Sequence, residues 1–278
     1  MKSKMNKLYL FLASVAAAGM LLCAPAARAD QISNWQLALP GGPLNTGISN
    51  LSFNGASSIV NTLMPDNTFT FTDTGVFNII QKNGGIGLLL GGGQLTLNYH
   101  DGAGTGTLGG NFTFNGNGLL DVYYSPAVTY GTAAPRYGAT AGTLIGSFQQ
   151  LAGGGGIVNP DGTPSANGVL TLNFVSTFLD PLVWMDSVGN ALLPGFTLGF
   201  VTTNASEDQS NNCPGPECSI DPNLTAALGA GPNNAPSNFM VVNGGQLKLE
   251  TQAVPEPGTL ALLGLGLLGV TVLRRRHS

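Results

Sequence analysis

Polar and apolar residues alternate along most of the central part of the chain. Such a period of two places one face of a β-strand toward a core and the other toward water. Stripes with a period of 3.6 residues, which would indicate amphipathic helices, do not recur. We therefore predict strands at residues 68–72, 94–99, 111–114, 119–124, 143–148, 169–174, 182–185, 196–200 and 246–250.

Clusters of Gly and Asn separate the predicted strands and indicate tight turns. Residues 83–85, 115–118 and 243–245 are three such clusters, and Gly and Asn readily take the positive φ that hairpins need. Half-buried strands at short spacing favour an all-β fold. We expect an antiparallel β-sandwich, with a β-rich solenoid as the alternative.

The first 29 residues have the three parts of a secretory signal. Three lysines precede an apolar run at residues 8–22, and Ala27 and Ala29 supply the small residues that a signal peptidase recognises. We predict a signal helix within residues 1–29 and cleavage between Ala29 and Asp30. The lysines are Lys2, Lys4 and Lys7.

The other end of the chain combines a rigid peptide, an apolar segment and a basic cluster. The peptide Pro255-Glu256-Pro257 is held extended because proline restricts its own φ and that of the residue before it. Residues 259–273 carry no charge and form a short transmembrane helix in our interpretation. The arginines that follow would stay on the cytoplasmic side; they are Arg274, Arg275 and Arg276.

In order, spacing and position these three parts resemble the PEP-CTERM sorting domain of Gram-negative, exopolysaccharide-producing bacteria. The resemblance implies that an exosortase, a membrane protease-transpeptidase, processes the tail during delivery to the surface or matrix. A plain membrane anchor is the alternative. The chain then divides into a signal peptide at residues 1–29, a secreted β-rich domain at 30–253 and a sorting and anchor segment at 254–278.

Charge in the body is strongly unbalanced. Between the two ends there are three Lys and Arg against thirteen Asp and Glu, a formal charge of −10. No basic patch is available to neutralise phosphates, which argues against nucleic acid as a partner. The acidity suits a soluble secreted domain.

Two cysteines of the body are separated by four residues that include a Pro-Gly-Pro turn. In an oxidising compartment Cys213 and Cys218 are expected to form a local disulfide. A redox pair prefers two intervening residues, and a metal site would need further ligands nearby.

No residue pattern specifies a catalytic, cofactor or metal site. His100 has no recognisable nucleophile, and we interpret it as a strand-end residue. The aspartates are interpreted mostly as turn formers. The aromatic residues could form a sugar-stacking platform, with core packing as the default interpretation. The aromatic residues in question are Trp35, Tyr123, Tyr124, Tyr130, Tyr137 and Trp184.

These observations lead to a functional hypothesis. We expect a non-enzymatic protein that is secreted or sorted to the surface, contributing to the extracellular polysaccharide matrix, adhesion, aggregation or flocculation. Its expected partners are a signal peptidase, an exosortase-type protease and extracellular polysaccharide. The alternatives are a secreted carbohydrate-binding module or glycoside-active enzyme, and a carrier of glycans on its many Ser and Thr residues.

Overall fold

The computed structural model describes residues 30–163, 165, 168–207, 221–229 and 237–251. Residues Gln31–Thr251 belong to one compact unit. The described residues form the strands β1 (Trp35–Ala38), β2 (Leu44–Ile48), β3 (Leu51–Leu63), β4 (Thr68–Lys82), β5 (Ile86–Gly87), β6 (Gln94–Thr107), β7 (Asn111–Phe114), β8 (Leu119–Ser125), β9 (Thr143–Gln150), β10 (Gly155–Ile157), β11 (Gly168–Leu179), β12 (Trp184–Met185), β13 (Thr197–Glu207) and β14 (Asn238–Glu250), and the helix α1 (Pro222–Leu228).

Eight strands form one antiparallel sheet that closes on itself. The order round the ring is β6, β8, β9, β11, β13, β14, β3 and β4, and β4 pairs again with β6. The closing pair runs from Thr68 opposite Thr107 to Ile79 opposite Leu95. The predicted all-β, antiparallel fold is confirmed. The predicted sandwich is wrong, because the strands form one closed barrel instead of two facing sheets, and the solenoid alternative is wrong for the same reason.

Long and irregular strands explain the closure. β3, β4, β6 and β14 each have 13 to 15 residues. Most pairings in the ring contain a register shift, as between Asp73 and Gly75 in β4. Each bulge bends and twists its strand, and eight curved strands can meet edge to edge. Alternation alone does not distinguish the two folds, since both bury one face of every strand.

One side of the barrel consists of two short strand pairs placed end to end. β8 and β9 fill the gap between the first half of β6 and the second half of β11. β7 and β10 fill the gap farther along, with β7 beside Gly106 of β6 and β10 beside Thr171 of β11. We call the two ends of the barrel the β8–β9 end and the β7–β10 end.

Aromatic side chains fill the interior toward the β8–β9 end. Phe53 stacks on Phe200 with their ring centroids 4.4 Å apart. A small sheet of β12, β1 and β2 joins the same core. There Trp184 stacks on Trp35 at 5.5 Å and meets the ring of Phe148 edge-on at 5.9 Å.

The helix α1 packs on the outer surface of the barrel. Asp221 caps its first turn by accepting a hydrogen bond of 2.8 Å from the backbone N–H of Asn223. Its buried leucines belong to an outer apolar cluster with residues of β3, β4 and β14, formed by Leu224, Leu228, Ala56, Val76, Ala139 and Met240.

Eight of the nine predicted segments lie in strands, apart from residue 196 at the start of one, and several of the strands extend well beyond the predicted segment. The exception is 182–185, where only Trp184 and Met185 are in a strand. The turn at 83–85 is confirmed, with φ of 53° at Asn83 and 73° at Gly84. The predicted turn at 243–245 is wrong: these residues lie inside β14, with Gly245 opposite Phe53, because uninterrupted pairing with β3 keeps them extended.

The two predicted terminal helices, in residues 1–29 and 259–273, lie outside the described residues. Within the described part of the chain, no helix has the length and apolar character needed to cross a bilayer.

Candidate functional site

Three polar side chains point into the barrel from adjacent strands and form what we call the polar row: Asn243 on β14, Ser57 on β3 and Asp73 on β4. Nδ2 of Asn243 donates to Oγ of Ser57 at 2.9 Å. The Ser57 side chain also faces Asp73 and lowers the pKa of its carboxyl. All three residues are buried. They place a carboxyl group and an amide inside an otherwise largely apolar core.

The polar row has two buried acceptors without donors among the described residues. They are Oδ1 of Asp73 and Oδ1 of Asn243. Burial raises the pKa of Asp73 from 3.8 to about 7, against the opposing effect of the nearby Ser57 side chain. Buried polar atoms in proteins almost always have partners, so these two atoms mark a candidate binding site.

A second polar pair lies where the two short strand pairs meet. The hydroxyl of Tyr99 donates to Oε1 of Gln150 at 2.8 Å, and the backbone N–H of Gly118 donates to the same atom at 3.2 Å. A Cβ at Gly102 would lie 2.3 Å from the Tyr99 oxygen, so only glycine leaves room for this contact. Burial, followed by the charge of Asp73, raises the pKa of Tyr99.

A cavity extends from the polar row toward the β7–β10 end. The cavity has a volume of about 60 Å³, several times the roughly 10–15 Å³ that one water needs. Its apolar walls include edge-to-face phenylalanines, with Phe71 at 4.9 Å from Phe114 and 5.6 Å from Phe112. The floor consists of the polar row. A mostly apolar lining with a few convergent polar groups is typical of sites that bind small molecules.

The loop at residues 158–163 lies over this end of the barrel. Nδ2 of Asn61 donates to the carbonyl of Gly162 at 3.1 Å, and the backbone N–H of Gly109 donates to the carbonyl of Asn159 at 3.0 Å. Ile157, just before the loop, lines the cavity and is 60% exposed. The cavity therefore reaches the surface beside β10.

His100 lies on the outer face of the barrel in a chain of hydrogen bonds. Its Nδ1 is 2.7 Å from Oδ2 of Asp101, and its Nε2 is 3.3 Å from Oδ2 of Asp121. The hydroxyl of Ser147 donates to Oδ1 of Asp121 at 2.6 Å, not to His100. Nucleophilic catalysis needs the serine to donate to the base, so this geometry does not activate Ser147.

Arg136 joins α1 and its neighbouring loop to the outside of the barrel. Its guanidinium donates to Oδ1 of Asn98 at 2.9 Å, to Oγ1 of Thr74 at 2.5 Å and to the carbonyl of Ala227, in α1, at 3.0 Å. Burial lowers the pKa of Arg136, and the charge of Asp101 acts against that shift.

Replacing Arg136 by Ala is expected to loosen α1 from the barrel. The change removes these hydrogen bonds, and we expect a loss of about 1–2 kcal/mol in the free energy of unfolding. Hydrogen exchange should show faster exchange for the amides of α1. Lys248→Ala removes a cation elsewhere and serves as the control. Unchanged protection of α1 in Arg136→Ala would contradict the anchoring role.

The structure also tests the predictions for the aromatic residues and the aspartates. Trp35, Trp184 and Tyr124 are buried, which confirms the core interpretation for these three aromatic residues. Four aspartates accept hydrogen bonds from backbone N–H groups two residues later, which confirms them as turn formers; they are Asp66, Asp161, Asp180 and Asp186. Within the described ranges, no group of three or more His, Cys, Asp or Glu is placed to hold a metal ion.

Asp73 is the site residue that sequence reasoning missed. It was grouped with the turn-forming aspartates, but it lies within a strand. The sequence pattern does contain this information, because Phe69, Phe71 and Asp73 alternate in phase and therefore lie on one face of the strand. The phase predicts that Asp73 points inward with the two phenylalanines.

The remaining predicted sites lie outside the described residues. Ala29, on one side of the predicted signal cleavage, falls there, and its neighbour Asp30 is the first described residue. The cysteine pair stays a prediction for the same reason. The residues concerned are Cys213, Cys218, Pro255, Glu256, Pro257, Arg274, Arg275 and Arg276.

Comparison with known families identifies a motif in the C-terminal segment. Residues 253–276 match the PEP-CTERM protein-sorting motif. The PEP-CTERM motif implies export and sorting to the cell envelope, and it is associated with processing by exosortase in the membrane. The body has no family match. Neither the curated proteins nor the solved structures give a match to the chain.

Proposed function

We propose that this chain is a non-enzymatic protein of the extracellular polysaccharide matrix of a Gram-negative bacterium, acting in adhesion, aggregation or flocculation. The PEP-CTERM motif at residues 253–276 carries the proposal. A signal peptidase would remove residues 1–29, and an exosortase-type protease would then process the tail. The barrel would be the mature part, in contact with extracellular polysaccharide.

One feature of the barrel supports a non-enzymatic role, and another argues against a sugar-binding surface. Ser147 donates to Asp121 and not to His100, so the outer polar cluster lacks an activated nucleophile. A sugar-active role has less support, because Trp35, Trp184 and Tyr124 are buried and their faces are not available for stacking on a sugar.

Replacing Glu256 by Ala is expected to block processing of the tail in the native host. The wild-type protein should be found outside the cell without roughly its last 20 residues, which comprise the apolar segment and the arginine cluster after it. The variant should remain full length in the membrane fraction. Cell fractionation and intact mass spectrometry measure both properties. Flocculation of the two strains, compared with a strain lacking the protein, tests the matrix role.

Glu250→Ala is the matched control, since it changes the same residue type just outside the motif and should be processed normally. If wild type and Glu256→Ala both stay full length in the membrane, the tail is only an anchor. If processing is normal but loss of the protein leaves flocculation unchanged, the role in aggregation is wrong.

A further inference from the structure

We propose that the cavity at the β7–β10 end of the barrel binds a small primary amine with an apolar tail, with its ammonium group held by Asp73 and Asn243. This site belongs to the folded body alone. The inference therefore stands whether or not the tail is processed, and its test is separate from that of the sorting role.

The head group follows from the two acceptors for which the described part of the chain provides no donor. Oδ1 of Asp73 and Oδ1 of Asn243 both belong to residues that line the cavity. An ammonium group offers three donors and can serve both atoms at once. A hydroxyl group offers one donor and leaves the other acceptor unpaired in an apolar site.

The charge of the ligand follows from the surroundings of Asp73. Among the described residues that line the interior cavities, Tyr99 is the other titratable residue, and no Lys, Arg or His is among them. Arg136 is on the outer face, where its donors are already used by Asn98 and Thr74. An ionised carboxylate is costly to bury unless it is paired. A cationic ligand supplies a partner that the described residues around Asp73 do not provide.

The apolar tail follows from the space above the polar row. One or two waters could satisfy the two acceptors, but the cavity has room for several. The remaining space faces Phe69, Phe71 and Phe114, whose rings offer a water molecule neither a donor nor a strong acceptor. Apolar cavities of this kind take up apolar groups instead of water. The faces of nearby aromatic rings also attract a cation.

Benzylamine is a suitable probe because it joins a primary ammonium to a single ring. Isothermal titration of the full exported chain at about pH 8, where Asp73 is ionised, should show saturable binding at one site. A ligand of this size is expected to have a Kd on the order of 1 mM or tighter. Benzyl alcohol and toluene, which have the same ring without the charge, should bind at least about tenfold more weakly.

Two variants test the site itself. Asp73→Asn removes the charge but keeps the side-chain shape. It should weaken the binding of benzylamine at least about tenfold and change the affinity for benzyl alcohol by less than about threefold. Val241 lines another wall of the cavity, so Val241→Phe fills part of the space and should weaken the binding of both ligands. Asp66→Asn, an exposed turn position, is the control and should change neither affinity.

Three results would each overturn the inference. One is the absence of saturable benzylamine binding, which would leave the cavity to water. Another is equal binding of benzylamine and toluene, which would mean that the polar row plays no part. The third is undiminished benzylamine binding by folded Asp73→Asn, with native circular dichroism, which would place the ligand elsewhere.

Discussion

Replacing Asp73 by Asn should stabilise the protein by about 4 kcal/mol at about pH 8, and the gain should disappear near pH 4. The pKa of this carboxyl is about 7 in the folded state against 3.8 ordinarily. Between these values the unfolded chain has released the proton and the folded protein keeps it, so wild-type stability falls as the pH rises. Above about pH 7 the loss is complete and constant. Asn has nearly the shape of the protonated Asp side chain but cannot ionise, so the variant does not lose this stability as the pH rises.

Urea unfolding of both proteins from about pH 4 to about pH 8 measures this difference. The groups facing Asp73 are Ser57 from β3, Asn243 from β14 and Tyr99 from β6, and the pKa of Tyr99 is raised, so it does not titrate in this window. Asp66→Asn is the control: the pKa of Asp66 is lowered by its hydrogen bonds with Thr68, so its replacement should bring no gain. If the free energy of unfolding of wild type and of Asp73→Asn depends on pH in the same way, the pKa of Asp73 is not raised in the folded protein.

Replacing Trp184 by Ala should lower the free energy of unfolding by about 3–5 kcal/mol. The indole is buried between Trp35 and Phe148, and its Nε1 donates to the carbonyl of Ile145 at 2.7 Å. Its loss leaves a cavity where the small sheet meets the barrel, and it leaves that carbonyl without this donor. Chemical denaturation followed by circular dichroism measures the change.

Two comparison variants separate the contributions of packing and hydrogen bonding. Trp184→Phe keeps an aromatic ring but loses the Nε1 donor, so a smaller loss of about 1–2 kcal/mol is expected. Leu182→Ala changes a residue two positions away that is 77% exposed, and it should change stability by less than about 0.5 kcal/mol. If Trp184→Ala costs no more than Leu182→Ala, the small sheet does not share the core of the barrel.

Most strands could be predicted because their information is local. In residues 68–72 and 94–99 each side chain alternates in polarity with its neighbours, and burial of one face needs nothing else. β3 could not be predicted in this way. Its central residues, Gly55 to Ser58, are small, and Ala56 is buried on the outer face under the apolar cluster around α1. Burial on both faces removes the alternation that marks a half-buried strand.

The sequence by itself determined the sorting motif at residues 253–276 and the β character of the body. The sorting motif can be recognised because a processing enzyme reads a continuous peptide, so order and spacing carry its information. The tertiary structure alone decided that the sheet closes through β4 and β6, that residues 243–245 stay extended, and that Asp73 and Asn243 each enclose one acceptor with no donor among the described residues. Each of these depends on which distant strands become neighbours, and that choice follows from bulges, curvature and packing of the whole chain instead of any local pattern.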